Sequence, residues 1–229
     1  MFFDELKENR EKPTDLIFGT DWWTDCDDVA ALSILLKAHN CGLINLKAIG
    51  VSSVMRYTAP SVRAVCDAQG LGDIPIGLDT SAVRRGILCL YQKKLASFCK
   101  TGFTNADCPE AYKLYRKALT FLGYEVGKTV ITGGREAPGL VGAAYEAHRS
   151  PRGRPSWDPM TALFAVTGDA AKAGYRRVFG RASVDPKTGR NSFEAFAGGP
   201  HSYLVKEKED RFYQDRLNEI LFSEQIFSV

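Results

Sequence analysis

Leu16-Ile17-Phe18-Gly19-Thr20-Asp21-Trp22-Trp23-Thr24-Asp25-Cys26-Asp27-Asp28 carries an apolar run into four aspartates within eight residues, and Val29 to Ala38 continues as a helical run. Strand, acidic loop and helix in that order mark the place where open α/β sheets build ligand sites. Like charges about 4 Å apart repel by about 4 kcal/mol per pair at an effective dielectric of 20. A folded chain accommodates such a cluster when a cation sits in it, a proton is shared, or the groups point apart. A plainer reading has Asp27 or Asp28 cap the helix and favour its positive end. That accounts for one aspartate and leaves the others unexplained. The expected ion is hard and oxygen-liking, Ca²⁺ before Mg²⁺, because no thiolate or imidazole cluster lies nearby.

Working outward, Asp15 to Thr20 reads as a strand and Asp27 to about Asn40 as a helix apolar on most sides, hence buried. Ile44 to Ser52 is a second strand, Thr58 opens a helix that Gly70 closes, and Ile74 to Leu78 is a third strand. That alternation predicts βαβ units and a Rossmann-like, mainly parallel α/β sheet with helices on both faces. Ile87 to Phe98 and Pro109 to Leu122 read as helices, the second with Tyr112, Tyr115 and Leu119 on a core-facing stripe. Leu140 to His148 is a helix, and the Pro- and Gly-containing loop from Arg149 to Pro155 carries three arginines, which read as solvated surface with a phosphate-touching lid as the minority alternative. Ser156-Trp157-Asp158-Pro159 starts a further helix, Met160 to Val166, with Asp158 as an ordinary cap on the simplest reading. Arg177 to Ser183 and Asn191 to Phe196 form a small antiparallel hairpin around Asp185-Pro186-Lys187-Thr188-Gly189, and Glu207 to Phe222 is an amphipathic terminal helix.

The 229 residues, 45% apolar and 25% charged, suit one soluble domain spanning 1–229. A net charge of +3 and the lack of a basic stripe argue against a nucleic-acid partner. No apolar stretch is long enough to span a membrane. Met1 to Lys7 is too acidic for a signal peptide, and six cysteines without CxxC spacing fit a reducing cytoplasm.

The acidic loop resembles the opening of the nucleoside hydrolases, the inosine-uridine type N-ribohydrolases, in which a strand ends in Asp-x-Asp and Asp-Asp heads the next helix. Here Gly19 stands at the first aspartate, Asp21 matches the second and Asp27-Asp28 match the pair, across a slightly longer loop. The resemblance implies Asp21 and Asp28 as calcium ligands, Asp21 also as the base for the attacking water, and Asp27 as a ribose contact. It also implies Asp158, in Arg154-Pro155-Ser156-Trp157-Asp158-Pro159, as the last calcium ligand, and leaves the role of Asp25 open. The likeness covers about residues 15 to 80 and 119 to 205. The family's central portion, with its Gly-Pro-Leu-Thr-Asn, Gly-Gly and Glu-Phe-Asn motifs, has no counterpart here. Trp157 replaces the histidine of purine-cleaving members, and Met55 is the nearest equivalent of a ribose-contact asparagine. Thr132-Gly133-Gly134 is like the Gly-Gly loop, but its neighbours fit a later segment.

The resemblance therefore implies calcium-assisted hydrolysis of a ribonucleoside N-glycosidic bond, weak or lost, with the metal half of the site kept and the sugar half depleted. The alternative is a non-catalytic calcium- or sugar-binding protein in which the ion staples the loop. A phosphatase with a strand-end aspartate nucleophile ranks last, since Gly19-Thr20-Asp21 lacks the first acid. The partner is a small molecule, and a homo-oligomer is left open. His39, His148 and His201 read as structural or surface residues.

Overall fold

Thr14–Thr20 (β1), Ile44–Val51 (β2) and Ile76–Leu78 (β3) form a three-stranded parallel sheet in that order, with β2 central. In this computed structural model the described residues are 2–8, 10, 12–83, 87–111, 120–122, 124–135, 137–185, 188 and 190–222. The β1–β2 register runs from Thr14 opposite Ile44 to Thr20 opposite Val51, so both strands end together at the acidic loop. Between them lies Asp27–Asn40 (α2), whose residues from Asp27 to Ala38 are all buried. Its apolar residues on every side leave it no solvated face. Thr58–Asp67 (α3) crosses from β2 to β3, and Gly70, with φ at 70°, turns the chain afterwards.

Two expectations for the middle shift. The helix expected over Ile87 to Phe98 is Leu90–Ala96 (α4). Of the helix expected over Pro109 to Leu122, residues 112–119, with Tyr112, Tyr115 and Leu119, lie outside the described residues. Its end, Thr120–Leu122, is a strand (β4). Thr120 and Phe121 are residue types that favour a pleated surface, and β4 pairs in parallel with a later strand, Tyr203 opposite Phe121.

Tyr124–Gly127 (α5) and Ile131–Thr132 (β5) lead to Gly139–Ala147 (α6), then Arg154–Pro155 (β6) and Trp157–Thr167 (α7). Strands β5 and β6 pair antiparallel, Thr132 opposite Arg154. The expected hairpin is present as Tyr175–Val184 (β7) against Asn191–Ala195 (β8). It belongs to a larger sheet, ordered β4-β9-β7-β8, through His201–Lys206 (β9), a strand that sequence reading passed over. The terminal helix is Asp210–Phe222 (α8), with Leu217, Ile220 and Leu221 buried as expected and Tyr213 buried beside them. A helix over Phe2–Glu8 (α1), also unread, buries Leu6. The architecture is thus α/β, with one hydrophobic cluster running from Leu6 to Leu221. All six cysteines are free, and among the described residues no helix is long and apolar enough to cross a membrane.

Helix α2 is tied to α8 by a buried lysine. Lys37 Nζ donates to the carbonyls of Ile220 at 2.7 Å and Leu221 at 3.3 Å, satisfying acceptors near the end of α8. Burial lowers the Lys37 pKa to about 8. Lys37→Met should therefore lower unfolding stability by about 1–3 kcal/mol, since both carbonyls lose their donor in an apolar setting. Urea denaturation measures it, and a midpoint equal to wild type would mean that these bonds contribute nothing.

Candidate functional site

Thr20 ends β1 and Asp27 begins α2, so the acidic loop closes a short gap between two buried elements. Trp22 makes the turn with φ at 44°, a left-handed conformation that costs a bulky residue about 1–3 kcal/mol unless its surroundings enforce it. They do so on all sides. Its ring is fully buried, its Nε1 donates to Ser61 Oγ at 2.9 Å, and its carbonyl accepts from Gln92 Nε2 at 2.6 Å. The Tyr91 hydroxyl donates to the next carbonyl, Trp23, at 3.0 Å. The Trp22 N–H points inward, to Thr20 Oγ1 at 3.1 Å and Asp28 Oδ1 at 3.4 Å, while the Thr20 hydroxyl donates to that same Asp28 oxygen.

Capping does not explain Asp27 and Asp28. They are the first two residues of α2, its N-cap is Cys26, and that cap makes no side-chain bond. Nor is Asp158 a cap. Ser156 holds that position in α7, with its hydroxyl against Thr132 Oγ1, and Asp158 is the second helical residue. Because α2 packs on α7, the two helix starts converge. The Asp158 carboxyl hydrogen-bonds Asp28, and its backbone N–H donates to Asp27 Oδ2 at 3.4 Å. Asp21, Asp25 and Asp28 each bring a carboxylate oxygen within 4.8 Å of the others. All five aspartates singled out from the sequence meet in one place.

Sequence reasoning missed Arg154, one of the three arginines read as solvated surface. Its side chain is only 15% exposed and reaches back to the acidic loop, with Nη2 at 2.8 Å from Asp25 Oδ2 and Nε at 3.6 Å from Asp27 Oδ1. Its Nη1 also lies 3.1 Å from His148 Nε2, and Ser150 Oγ is 2.7 Å from His148 Nδ1. His148, read as a structural or surface residue, therefore borders the site. No local pattern marked Arg154, since its partner Asp25 is 129 positions away. His39 and His201 fit the structural reading, each accepting a backbone N–H, from Leu46 and Ala182 respectively.

Arg154 divides the cluster. It offsets Asp25 and Asp27, while among the described residues no lysine or arginine forms a salt bridge with Asp21, Asp28 or Asp158. Burial, reinforced by Asp28 and Asp25, pushes the Asp27 pKa up to about 8. Burial raises Asp158 to about 6. Asp28, fully enclosed and facing Asp158 and Asp21, is raised well above the usual carboxylate range. Asp21 stands exposed at the mouth, and partial desolvation raises it too, against the Trp23 N–H that donates to its Oδ1 at 3.2 Å. Three carboxylates with no basic partner and an all-oxygen donor set fit a hard divalent cation. An ion bound at about 2.4 Å admits ligand oxygens up to about 4.8 Å apart, so the spacing of Asp21, Asp25 and Asp28 would admit such a cation, Asp25 being the one of these three already paired with Arg154.

The shifts have a sign that stability measurements can read. Folded-state proton affinities above the unfolded value stabilise at low pH, and that contribution is lost as pH rises through the folded pKa. In EDTA the melting temperature should therefore fall from about pH 5 to about pH 8, as Asp158 and then Asp27 lose protons at about 6 and about 8. Millimolar calcium should restore it at the upper pH and do little at the lower, because ligands must be deprotonated to bind metal. A melting temperature that rises with pH in EDTA would contradict this charge arrangement.

No protein-family profile matches the chain, and no curated protein sequence does. Solved structures do resemble it. An inosine-uridine preferring nucleoside hydrolase from Bacillus anthracis aligns at TM-score 0.53 and 14% identity, over 91% of this chain and 99% of that one. A plant nucleoside hydrolase aligns at TM-score 0.59 and 12% identity, over 92% and 99%. The effector protein XOO4466 aligns at TM-score 0.57 and 12% identity, over 96% of each chain. At such identities the likeness is one of fold, and the fold of this chain is that of the nucleoside hydrolases.

Proposed function

We propose that the chain is a nucleoside hydrolase-like protein whose acidic loop holds one calcium ion and hydrolyses the N-glycosidic bond of a ribonucleoside weakly or not at all. The observation that carries this reading is the meeting of Asp21, Asp28 and Asp158 without a basic partner, on that fold. Asp21 and Asp28 would hold the ion with Asp25 within reach of both, and Asp158, whose carboxyl meets that of Asp28, would complete the set. When bound, calcium orients vicinal sugar hydroxyls and lowers the pKa of a water. Asp21, at the exposed mouth, takes that water's proton, with the Trp23 N–H holding its carboxylate in place. Asp27 accepts from a ribose hydroxyl. The reaction also needs the leaving base stabilised, and no histidine or other acid among the described residues at the site is suited to it. His148, the histidine at the site, has its pKa lowered by burial and by Arg154, which suits it poorly to donating a proton. Six free cysteines support a reducing compartment, the cytoplasm.

A second reading, a calcium- or sugar-binding protein without catalysis, draws on one specific observation. Asp27 faces Arg154 with one oxygen and the Asp158 N–H with the other, so it is engaged before any sugar arrives.

Two measurements test these readings. Asp28→Ala and Asp158→Ala should each weaken calcium binding, and the double variant should lose less than the sum, as expected of groups sharing one ion. Calcium affinity unchanged in Asp158→Ala, by isothermal titration, would remove Asp158 from the shell. Turnover of inosine, uridine and p-nitrophenyl riboside with calcium should stay below about 1 s⁻¹, the lower end of ordinary enzymes. Faster turnover would show the sugar site to be intact. Calcium binding with no detectable product favours the second reading.

A further inference from the structure

A cleft with a cavity volume of 630 Å³ lies between the β5–β6 ribbon and α8. Ile131, Pro151 and Phe222 give it an apolar wall, and Arg135, Arg152, Gln214 and Asn218 supply its polar groups. It shares no described lining residue with the acidic loop, and no described lining residue is acidic.

The cationic mouth is built by interlocked glycines. Gly133, Gly134 and Gly153 have φ of 82°, 96° and 84°, a region that side chains other than glycine rarely enter. A Cβ on Gly134 would meet the Gly153 nitrogen at 2.7 Å, and one on Gly153 would meet the Thr132 carbonyl oxygen at 2.6 Å. One on Gly133 would collide with the Tyr145 ring. The two loops consequently run in contact, and the Arg135 N–H donates to the Pro151 carbonyl at 3.1 Å. That contact brings the backbone at Arg135 next to the Pro151–Arg152 step, and both arginines line the cleft. Neither makes an ion pair with a described residue. Behind them, Gln214 is fixed by its bond to the Ile131 carbonyl at 2.6 Å, and Asn218 Oδ1 is buried without a partner. An amide whose oxygen and nitrogen exchange places by rotation offers a donor there as readily as an acceptor.

The geometry points to a binding site for a small phosphate monoester. Its dianionic head sits between the guanidinium groups of Arg135 and Arg152, and its apolar body lies along Ile131, Pro151 and Phe222. Paired guanidinium groups match phosphate oxygens through planar, charge-assisted bonds, and the apolar wall distinguishes an organic phosphate from the free ion. This site stands apart from the reading of the acidic loop.

Phenyl phosphate and inorganic phosphate, titrated calorimetrically into the protein, provide the test. Phenyl phosphate should bind more tightly than inorganic phosphate, and its affinity should fall with added salt. Arg135→Gln and Arg152→Gln should each weaken it about tenfold, the loss expected for a hydrogen bond to a charged group. The corresponding lysine variants should fall between, since they keep charge and lose the fork. Asp28→Asn should leave it unchanged, whatever that variant does to calcium. No binding at about 10 mM phenyl phosphate, well above the millimolar range of weak complexes, would overturn the proposal. Affinity unaffected by both arginine substitutions would overturn it as well.

Discussion

Asp28 and Asp158 place two carboxyls in hydrogen-bonding contact inside the protein, and the rest of the site follows from how that contact is made tolerable. Two buried anions at such a distance would oppose folding by several kcal/mol, so the pair holds a proton or a cation. The contact lies where α2 meets α7, at the C-terminal end of the parallel sheet, and α2 also touches β2 and α8. Whatever neutralises the pair therefore acts on the joint between the two halves of the chain. Proton and cation are alternative solutions to one electrostatic problem, so any metal bound here would be linked to pH.

Arg154 solves the rest of that problem from within. By covering Asp25 and Asp27 it confines the unbalanced charge to Asp21, Asp28 and Asp158, on the side that opens to solvent through Asp21. The cost would fall on any hydroxyl that Asp27 is to accept from. A carboxylate engaged by a guanidinium must exchange that partner for a hydroxyl, giving up a charge-assisted bond for a neutral one. A site arranged in this way would favour a cation over a neutral hydroxyl ligand at Asp27.

The parts of this fold that could be read from sequence are those fixed by local chemistry. Helix α2 was readable to its first residue, because it is apolar on every side and must be buried. The β7–β8 hairpin was readable from the turn around Asp185. Strand β9 was not, since Ser202 and Lys206 break its apolar alternation, and α1 was too short and mixed to signal itself. The aspartates were readable as a cluster because repulsion among neighbours in sequence is itself a signal. Asp158 became visible only through resemblance, its own neighbourhood being an ordinary helix start. Arg154 gave no signal, since its significance lies in long-range contact with Asp25 and a loop arginine usually faces water, and His148 joins the site through its bond to Arg154.

Gly153 separates Arg152, at the cleft, from Arg154, at the acidic loop. In an extended strand, residues two apart point to the same side. The left-handed backbone at Gly153 breaks that rule and lets two neighbouring arginines serve unlike surroundings. A single residue thus acts as a swivel, without which a short ribbon would have to spend both cations in the same direction. Charge of one sign can then be delivered to an acidic enclosure and to an open rim from three consecutive positions, a partition of electrostatic labour that only a residue without a side chain permits.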